Sequence, residues 1–352
     1  MEDDATDDGI EGKVAFSEAT RPDRAISVLF KRRKLDQRAI VTLLFIALVV
    51  LFSLFLPGFA SAGNLVNLLR SISVLGILGL GMGIVVIGRG VDLSMVALMA
   101  VPTALVLSVT GAGMEVVPAM LLGFALAITV GILNGVLVAY ADVPSLFVTL
   151  ASGIGLAGIG QSGILSYDQV PWPKAMNGLL WLGGGKVFGI PSSIVTFAII
   201  AIIVYVFLRF TKLGLFTYTI GDNPFAARTI GIPVRPILVF HYVIAAIISV
   251  IAGLVMASSS GIMDTRIFNG TLVFDVVLVV VLGGVGLSGG RGGVTNVILG
   301  ALLIGVVSDG MTIMGFSDNS QKIVKGIVLL VAIFADSIIN PRNEDTAQQG
   351  NI

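Results

Sequence analysis

Two side chains of opposite charge, Arg89 and Asp92, lie three residues apart at the end of an apolar stretch. Unpaired charge inside a membrane is costly, so we expect these two side chains to neutralise each other. Such a pair would either clamp a broken helix or form part of a gate on a solute path. Asp275 and Asp309 also lie near apolar runs. For them, helix capping or packing and the lining of a polar path remain open alternatives.

The residues that most covalent chemistry requires are missing from the sequence. The chain has no cysteine and a single histidine, His241, for which we expect a structural role at a helix end. No catalytic triad, metal-ligand cluster or phosphate loop of the nucleotide-hydrolysing type occurs. The formal net charge is 0, so nothing favours a nucleic-acid partner. We therefore expect no enzymatic activity, no cofactor and no metal site.

The amino-acid composition predicts the class of protein in which Arg89, Asp92, Asp275 and Asp309 lie. Apolar residues make up 56% of the chain and charged residues 12%, with a mean hydropathy of +1.02, whereas soluble domains are about 25% charged. A helix needs about 20 apolar residues to cross a bilayer. The sequence therefore predicts an all-α polytopic membrane protein with about ten transmembrane helices. The apolar segments lie near 39–57, 72–88, 95–110, 116–140, 146–165, 191–208, 237–257, 273–287, 294–315 and 323–339.

The distribution of basic residues predicts the orientation. A basic cluster within 31–38 directly precedes the first apolar segment, and the loop 209–236 is also basic. Lys and Arg are enriched in cytoplasmic loops, and an even number of spans then places both termini in the cytoplasm. We divide the chain into an acidic, disordered tail with a basic cytoplasmic segment (1–36), a transmembrane domain (37–340) and a cytoplasmic tail (341–352).

Glycine clusters interrupt two of the apolar segments. One ends in Gly88-Arg89-Gly90, and another runs into Gly283-Gly284 and the glycine-rich stretch 288–293. Irregular backbone within a membrane must be buried in protein or line a cavity. Broken helices at corresponding places in two halves of a chain indicate a transport path. Gly283 and Gly284 are therefore path candidates, together with Arg89 and Asp92.

The stretches around these breaks predict a degenerate internal repeat. Residues 86–94 resemble 281–288 with a one-residue gap, and 131–135 resemble 305–310 in the same way. The first copy is longer by about one membrane segment, and chance similarity between glycine-rich apolar stretches is the alternative. Asn134 and Asp309 lie within the second pair of stretches and are further path candidates.

The stretch 221–232 is a short polar island in this apolar chain. Basic side chains dominate it and its flanks, and Asp222 is the acidic residue that opposes them. We interpret the island as a cytoplasmic docking surface for a soluble partner.

Five motifs in this order and spacing resemble the inner-membrane permease subunits of bacterial monosaccharide ABC importers, the ribose, xylose and arabinose type. The resemblance covers about residues 70–340. The motifs are Gly88-Arg89-Gly90-Val91-Asp92-Leu93-Ser94, Leu133-Asn134-Gly135, Gly221-Asp222-Asn223-Pro224 with Ala226-Ala227-Arg228 and Gly231-Ile232, Gly283-Gly284 with Leu287-Ser288-Gly289-Gly290-Arg291-Gly292, and Lys325-Gly326.

The resemblance implies a multi-pass permease of the bacterial inner membrane that does no covalent chemistry itself. It implies three partners: a cytoplasmic ABC ATPase subunit that hydrolyses ATP, a periplasmic substrate-binding protein, and a second permease, identical or different. It also implies a coupling helix that rests in a groove of the ATPase. The residues concerned are Asn223 as a cap, Pro224 at the helical start, Phe225 as the apolar anchor, Ala226 and Ala227, and Arg228 as a polar contact.

The sequence departs from the family pattern at one place, and this departure bears on which solute is carried. The family usually has two glycines before its Ile-Asp-Leu-Ser, whereas this chain has Gly88-Arg89-Gly90-Val91. The extra cation could favour an acidic or phosphate-bearing solute, or could simply pair with Asp92. Permeases for a nucleoside or a branched-chain amino acid are the near alternatives to a sugar permease. A secondary transporter driven by an ion gradient is the more distant one.

Overall fold

A computed structural model of the chain describes residues 37–162 and 168–339, and these two ranges contain twelve α-helices. The expectations for 1–36 and 341–352 fall outside the described residues. Ten of the helices coincide with the ten predicted apolar segments. They are α1 (Gln37–Phe55), α2 (Ala62–Ile87), α3 (Met95–Gly111), α4 (Val116–Ala139), α5 (Ser145–Gln161), α6 (Ser192–Phe210), α9 (Val234–Ser260), α10 (Leu272–Gly283), α11 (Val294–Ile313) and α12 (Asp318–Ile339). The other two, α7 (Lys212–Asp222) and α8 (Pro224–Thr229), lie between α6 and α9.

Six of these helices are long and apolar enough to cross a membrane: α1, α2, α4, α6, α9 and α11. Three more, α3, α5 and α10, are apolar but shorter, with 17, 17 and 12 residues. The chain is therefore an all-helical, multi-pass membrane protein, as the composition predicts.

The shortness of α10 has a local cause. Gly284 caps the helix in the left-handed conformation (φ +89°), which glycine adopts without steric cost. Twelve residues of helix reach ~18 Å, well short of the ~30 Å hydrocarbon core. The helix ends at Gly283 within the apolar segment 273–287, so the predicted interruption of this segment is confirmed.

Close backbone approach holds the bundle together. A Cβ atom on Gly135 of α4 would lie 2.6 Å from Val239 Cα on α9, and one on Gly300 of α11 would lie 1.9 Å from Val279 O on α10. Neither position has room for a side chain, so the helix axes approach more closely than larger residues permit. The central helix is α2, which is almost continuously buried from Leu75 to Ile87.

Two small antiparallel ribbons connect the helices at one end. Strand β1 (Gln169–Pro171) pairs with β4 (Ile262–Asp264), and β2 (Lys186–Val187) pairs with β3 (Ile190–Pro191). The β1–β4 ribbon joins the α5–α6 connection to the α9–α10 connection. The Arg266 side chain donates a hydrogen bond to the Asp264 carboxylate beside this ribbon, and that bond lowers the pKa of Asp264.

The internal repeat stays a prediction. The first break, residues 88–94, joins α2 to α3, and the second break, residues 284–293, joins α10 to α11. Both are helix–break–helix units, as the repeat requires. The second pair of similar stretches is placed differently, because Asn134 lies on the second helix after its break and Asp309 on the first.

Candidate functional site

The two breaks meet each other and the end of α7. We call this contact the junction and define it by residues 87–89, 221–222 and 288–292. Its central bond is between backbone atoms: Gly290 N donates to Ile87 O at 2.9 Å. Residues slightly more than 200 positions apart in the chain therefore share one hydrogen bond beside the end of α7.

Two side chains add further links at the junction. Arg89 Nε in the first break donates to Ser288 O in the second at 3.0 Å. Tyr218 on α7 donates its hydroxyl hydrogen to Gly292 O at 2.9 Å. Each bond fixes a backbone carbonyl of the second break, so this glycine-rich segment is attached both to the first break and to α7.

Gly221 lets three backbones come together at the junction. A Cβ atom on Gly221 would lie 1.9 Å from Ile87 O and 2.3 Å from Gly290 N. Both neighbours are backbone atoms, which cannot rotate away as a flexible side chain would. The end of α7 is therefore in direct contact with the last residue of α2, directly before the first break, and with the second break.

The start of α9 supports the junction from another side. His241 is 1% exposed, and its Nε2 lies 2.9 Å from Thr217 Oγ1 on α7. Its ring fills the space that a side chain at Gly88 would need, since a Cβ there would lie 2.5 Å from His241 Nδ1. These contacts give His241 the packing role that the sequence predicts.

Helix α8 begins where the sequence predicts. Asn223 Oδ1 accepts hydrogen bonds from Phe225 N and Ala226 N, each at 3.0 Å, and Pro224 occupies the first helical position. Asn is among the best N-cap residues, and Pro lacks the N–H that would otherwise lack a partner there. The predicted cap is confirmed.

One side of α8 is anchored and the other is free for contact. Ala227 is fully buried in a small apolar cluster with Ile220, Ile232, Val234 and Ile237. Phe225 is 44% exposed, and the guanidinium of Arg228, also exposed, lies 5.9 Å from the Phe225 ring. A rigidly seated helix that presents an aromatic ring and a cation to its surroundings is suited to docking.

A buried polar network fixes the first break. Asp92 is 0% exposed, and its Oδ1 accepts hydrogen bonds from both the backbone N and the hydroxyl of Ser94. Asn134 Nδ2 on α4 donates to Ser94 Oγ at 3.0 Å. Two path candidates, Asp92 and Asn134, are therefore linked through a residue that the sequence reasoning did not select. An Asp two residues before a Ser at a helix start is the signal that would have found it.

The prediction that Arg89 pairs with Asp92 is wrong. Arg89 has a left-handed backbone (φ +72°) and donates to Ser288, whereas the Asp92 carboxylate is bound by Ser94. A spacing of three brings side chains together only on a continuous helix. The chain is not helical between Gly88 and Ser94, so the rule does not apply to this pair.

Asp275 and Asp309 make their contacts with other groups. Lys325 Nζ donates to Asp275 Oδ2 at 2.8 Å, and the Thr271 hydroxyl also donates to that oxygen at 3.3 Å. Asp309 Oδ2 accepts a hydrogen bond of 2.7 Å from Asn64 Nδ2 near the start of α2. Both carboxylates thus have packing partners, and no described contact joins them to the junction.

Gly283 and Gly284 serve the turn between α10 and α11. Gly283 O accepts a hydrogen bond from Asn296 Nδ2 at 2.7 Å, and a Cβ on Gly283 would lie 2.2 Å from Asn296 O. Gly284 is the left-handed cap of α10. These glycines set the geometry of the second break, and a direct role in a path stays a prediction.

Broken helices around a buried carboxylate are features of membrane transport proteins, and this fold therefore defines a multi-pass transport protein. The family described as "Branched-chain amino acid transport system / permease component" matches residues 64–333, and the chain belongs to this family. No solved structure matches the chain.

Several curated relatives are named for sugar transport. The chain is 33% identical over 292 residues to a ribose import permease protein of Bacillus subtilis (strain 168), covering 82% of this chain and 89% of the relative. It is 30% identical over 305 residues to the ribose import permease protein of Escherichia coli (strain K12), covering 86% and 94%. A galactofuranose transporter permease protein of the same strain is 29% identical over 275 residues, covering 78% and 80%.

Proposed function

We propose that the chain is the membrane-spanning permease subunit of an ATP-driven importer for a monosaccharide. Relatives named for ribose and galactofuranose support this choice, because the chain spans 80% to 94% of their lengths. The family description instead names branched-chain amino acids, and a permease for such an amino acid is the second candidate. Relatives at about 30% identity over whole chains favour the sugar. The same relatives also favour a sugar permease over a nucleoside permease and over an ion-coupled transporter.

The importer contains other subunits in this proposal. A periplasmic binding protein delivers the sugar, a cytoplasmic ABC ATPase subunit hydrolyses ATP, and a second permease copy completes the membrane part. Both termini and α8 lie on the cytoplasmic side of a bacterial inner membrane. The basic residues around α8 support this orientation. Arg235 also lies over the Tyr140 ring at 5.5 Å, so the α4–α5 connection is at the same end of the bundle.

Residues 223–228 form the coupling element of this permease. The observation that carries the proposal is the position of Gly221, two residues before Asn223 and in backbone contact with the end of α2 and with the second break. The ATPase moves α8, the apolar cluster around Ala227 transfers the movement to α7, and the junction transfers it to the two breaks. The path then opens to one side of the membrane at a time.

Reconstitution tests the function directly. The chain is assembled in proteoliposomes with the ATPase and binding protein that co-purify with it, and ATP-dependent uptake of labelled ribose, arabinose, xylose, galactose and leucine is compared. We expect uptake of at least one sugar and none of leucine. Uptake of leucine alone would replace the sugar by the second candidate, and failure to co-purify any ATPase would contradict the importer.

Phe225→Asp is the sharpest test of the coupling role. A carboxylate in place of an exposed aromatic anchor disrupts docking, and central anchor residues typically contribute ~2 kcal/mol or more, which is ~30-fold in affinity. We expect ATP-driven uptake to fall at least ~10-fold while the protein still inserts into the membrane. Phe225→Leu is the matched control, because it keeps an apolar side chain and should retain most of the uptake. Normal uptake with Phe225→Asp would remove α8 from the coupling mechanism.

A further inference from the structure

Arg70 in α2 carries a positive charge that takes part in none of the contacts described so far. Arg70 lies eight residues after the start of the helix, and neither of the ion pairs seen within 37–162 and 168–339 includes it. Its Nε is buried and has no hydrogen-bond acceptor. An ionisable side chain in a membrane helix is costly and is retained mainly where it has a function.

Solvation of the charged group accounts for only part of the Arg70 side chain, because the residue as a whole is half-buried. Arg side chains near helix ends commonly extend toward water and leave the charged group solvated. Here the Nε atom is instead buried in the protein without an acceptor. A buried donor without an acceptor is unfavourable, and a bound molecule that carries an acceptor would remove that cost.

Arg70 lies in the wall of a pocket of about 260 Å³, which we call the Arg70 pocket. This volume is just below the ~300 Å³ at which pockets for drug-sized ligands begin, so it fits a smaller solute such as a monosaccharide. The wall contains both hydroxyl groups and apolar side chains. They are Ser71, Ser259 and Ser260, and Val74, Leu75, Met256, Ile267 and Leu272.

This combination of groups matches the surface of a sugar. The guanidinium group presents several N–H donors in a fixed plane, to which neighbouring sugar oxygens can be acceptors. Serine hydroxyls both donate and accept hydrogen bonds, as sugar hydroxyls do. The C–H face of a sugar ring can then rest on Met256 or Leu272. No carboxylate lines the Arg70 pocket, so the guanidinium is available to the solute.

The Arg70 pocket lies toward the end of the bundle remote from the junction. Arg70 precedes Ile87 by 17 residues of continuous helix, which corresponds to ~26 Å along the axis. A second cleft, of about 360 Å³, shares Ile267 and Leu272 with the Arg70 pocket and contains Thr271, Asp318 and Gln321. Polar groups therefore continue past the Arg70 pocket at this end of the protein.

We propose that the Arg70 pocket is the first site at which the permease holds its solute, with the Arg70 guanidinium donating hydrogen bonds to oxygen atoms of the monosaccharide. The inference rests on the proposed function, in which this end of the bundle faces the periplasm and receives the sugar from the binding protein. Arg70 is then a binding residue of the permease itself, in addition to the selection made by the binding protein.

The absence of cysteine from the chain permits a direct test. Ser71→Cys places the only thiol in the Arg70 pocket, and Lys186→Cys places a control thiol on an exposed strand at the ribbon end. Both variants are reconstituted with ATPase and binding protein and treated with a membrane-impermeant maleimide from the periplasmic side. The probe is the sugar, among ribose, arabinose, xylose and galactose, that the wild-type complex takes up.

We expect both thiols to react, and we expect the sugar-loaded binding protein to protect only Ser71→Cys. In the Ser71→Cys variant, the additional substitution Arg70→Gln should raise ~10-fold the sugar concentration that protects half of the thiol from the maleimide. The reason is that a hydrogen bond from a charged donor to the sugar is lost. Arg70→Lys should give a smaller shift because it keeps the charge and loses the planar fork. Lys174→Gln, at an exposed position that begins the 3₁₀ helix Lys174–Leu182 at this end, should cause none. Co-purification with the ATPase checks that each variant is folded.

Three results would each contradict the proposal that the Arg70 pocket binds the sugar. The first is that the Ser71→Cys thiol does not react with the maleimide. The second is equal protection of both thiols, and the third is an unchanged concentration for half-protection in a folded Arg70→Gln variant. The proposed function survives all three if the wild-type complex takes up a sugar. If the wild-type complex takes up no sugar at all, the proposed function fails and the Arg70 site fails with it.

Discussion

The two breaks differ in how they are held. The first break is fixed by three side chains from two helices: Val91 N donates to Ser145 Oγ at 3.1 Å, Leu93 N donates to Thr149 Oγ1 at 3.0 Å, and Ser94 binds Asn134. These contacts attach it to α4 and α5. Side-chain bonds of this kind define a single position for the backbone.

The second break is held mainly through its own backbone. Four of its glycines have positive φ angles: Gly284, Gly289, Gly290 and Gly292. Its described bonds to the rest of the protein lead to the first break and to α7 through Ile87, Arg89 and Tyr218. Among the described bonds, the second break therefore has fewer from side chains than the first, and its glycines allow its backbone more conformations.

This difference assigns a role to each break. A segment anchored by buried side chains is suited to be the fixed frame, and a glycine-rich segment attached to α7 is suited to move against it. We infer that displacement of α7 moves residues 288–292 past Ile87, while Asp92 and its partners keep the first break in place. Three substitutions test this difference, from the largest expected effect to the smallest.

Gly221→Ala should have the largest effect because it acts at once on the end of α2, directly before the first break, and on the second break. The new methyl group would lie 1.9 Å from Ile87 O and 2.3 Å from Gly290 N, so α7 must move away from the junction. We expect the loss of nearly all ATP-driven uptake and a stability loss of ~1–3 kcal/mol, the usual cost of overpacking. Uptake in proteoliposomes and thermal unfolding in detergent measure the two effects.

Gly158→Ala is the matched control for Gly221→Ala. Gly158 lies on α5, and a Cβ atom there would have no heavy atom within 4 Å. This variant should keep wild-type uptake and stability. If Gly221→Ala behaved in the same way, the junction would not be the link between α7 and the breaks.

Asp92→Ala should destabilise the first break. Ser94 is 0% exposed and would lose the acceptor for both its N–H and its hydroxyl. A buried donor without an acceptor costs ~1–3 kcal/mol, so the midpoint of thermal unfolding in detergent should fall. Asn134→Ala acts on the same network, and the double variant should lose less stability than the two single losses combined. Additive losses would mean that Asp92 and Asn134 act independently.

Much of this fold follows from local sequence. Ten apolar segments predict ten helices because burial in lipid requires long apolar runs, and glycine clusters predict both breaks because glycine permits left-handed backbone. The start of α8 is equally local, since Asn223 followed by Pro224 is a strong helix-start signal.

The junction could not be predicted in this way. It joins residues near 87, 221 and 290, and nothing in the local sequence specifies which of the many glycines will touch. The wrong pairing of Arg89 with Asp92 has a similar origin, because the cost of unpaired charge in a membrane does not specify the partner, and the backbone turn at Arg89 directs its side chain to Ser288 O in the second break. Tyr218 was missed since its partner, Gly292 O, is set by packing between helices, whereas Ser94 has a local signal in Asp92, two residues before it.

Arg89 offers the most sensitive test of the first break. Its left-handed backbone costs ~1–2 kcal/mol for a residue other than glycine, and its bond to Ser288 O returns ~0.5–1.5 kcal/mol. Arg89→Gly removes the strain together with the bond, so its stability should stay within about 1 kcal/mol of wild type. Arg89→Ala keeps the strain and loses the bond, so it should unfold at a lower temperature than Arg89→Gly. Equal midpoints for the two variants in detergent would show that the turn at residue 89 is not strained, and that the first break adapts as readily as the second.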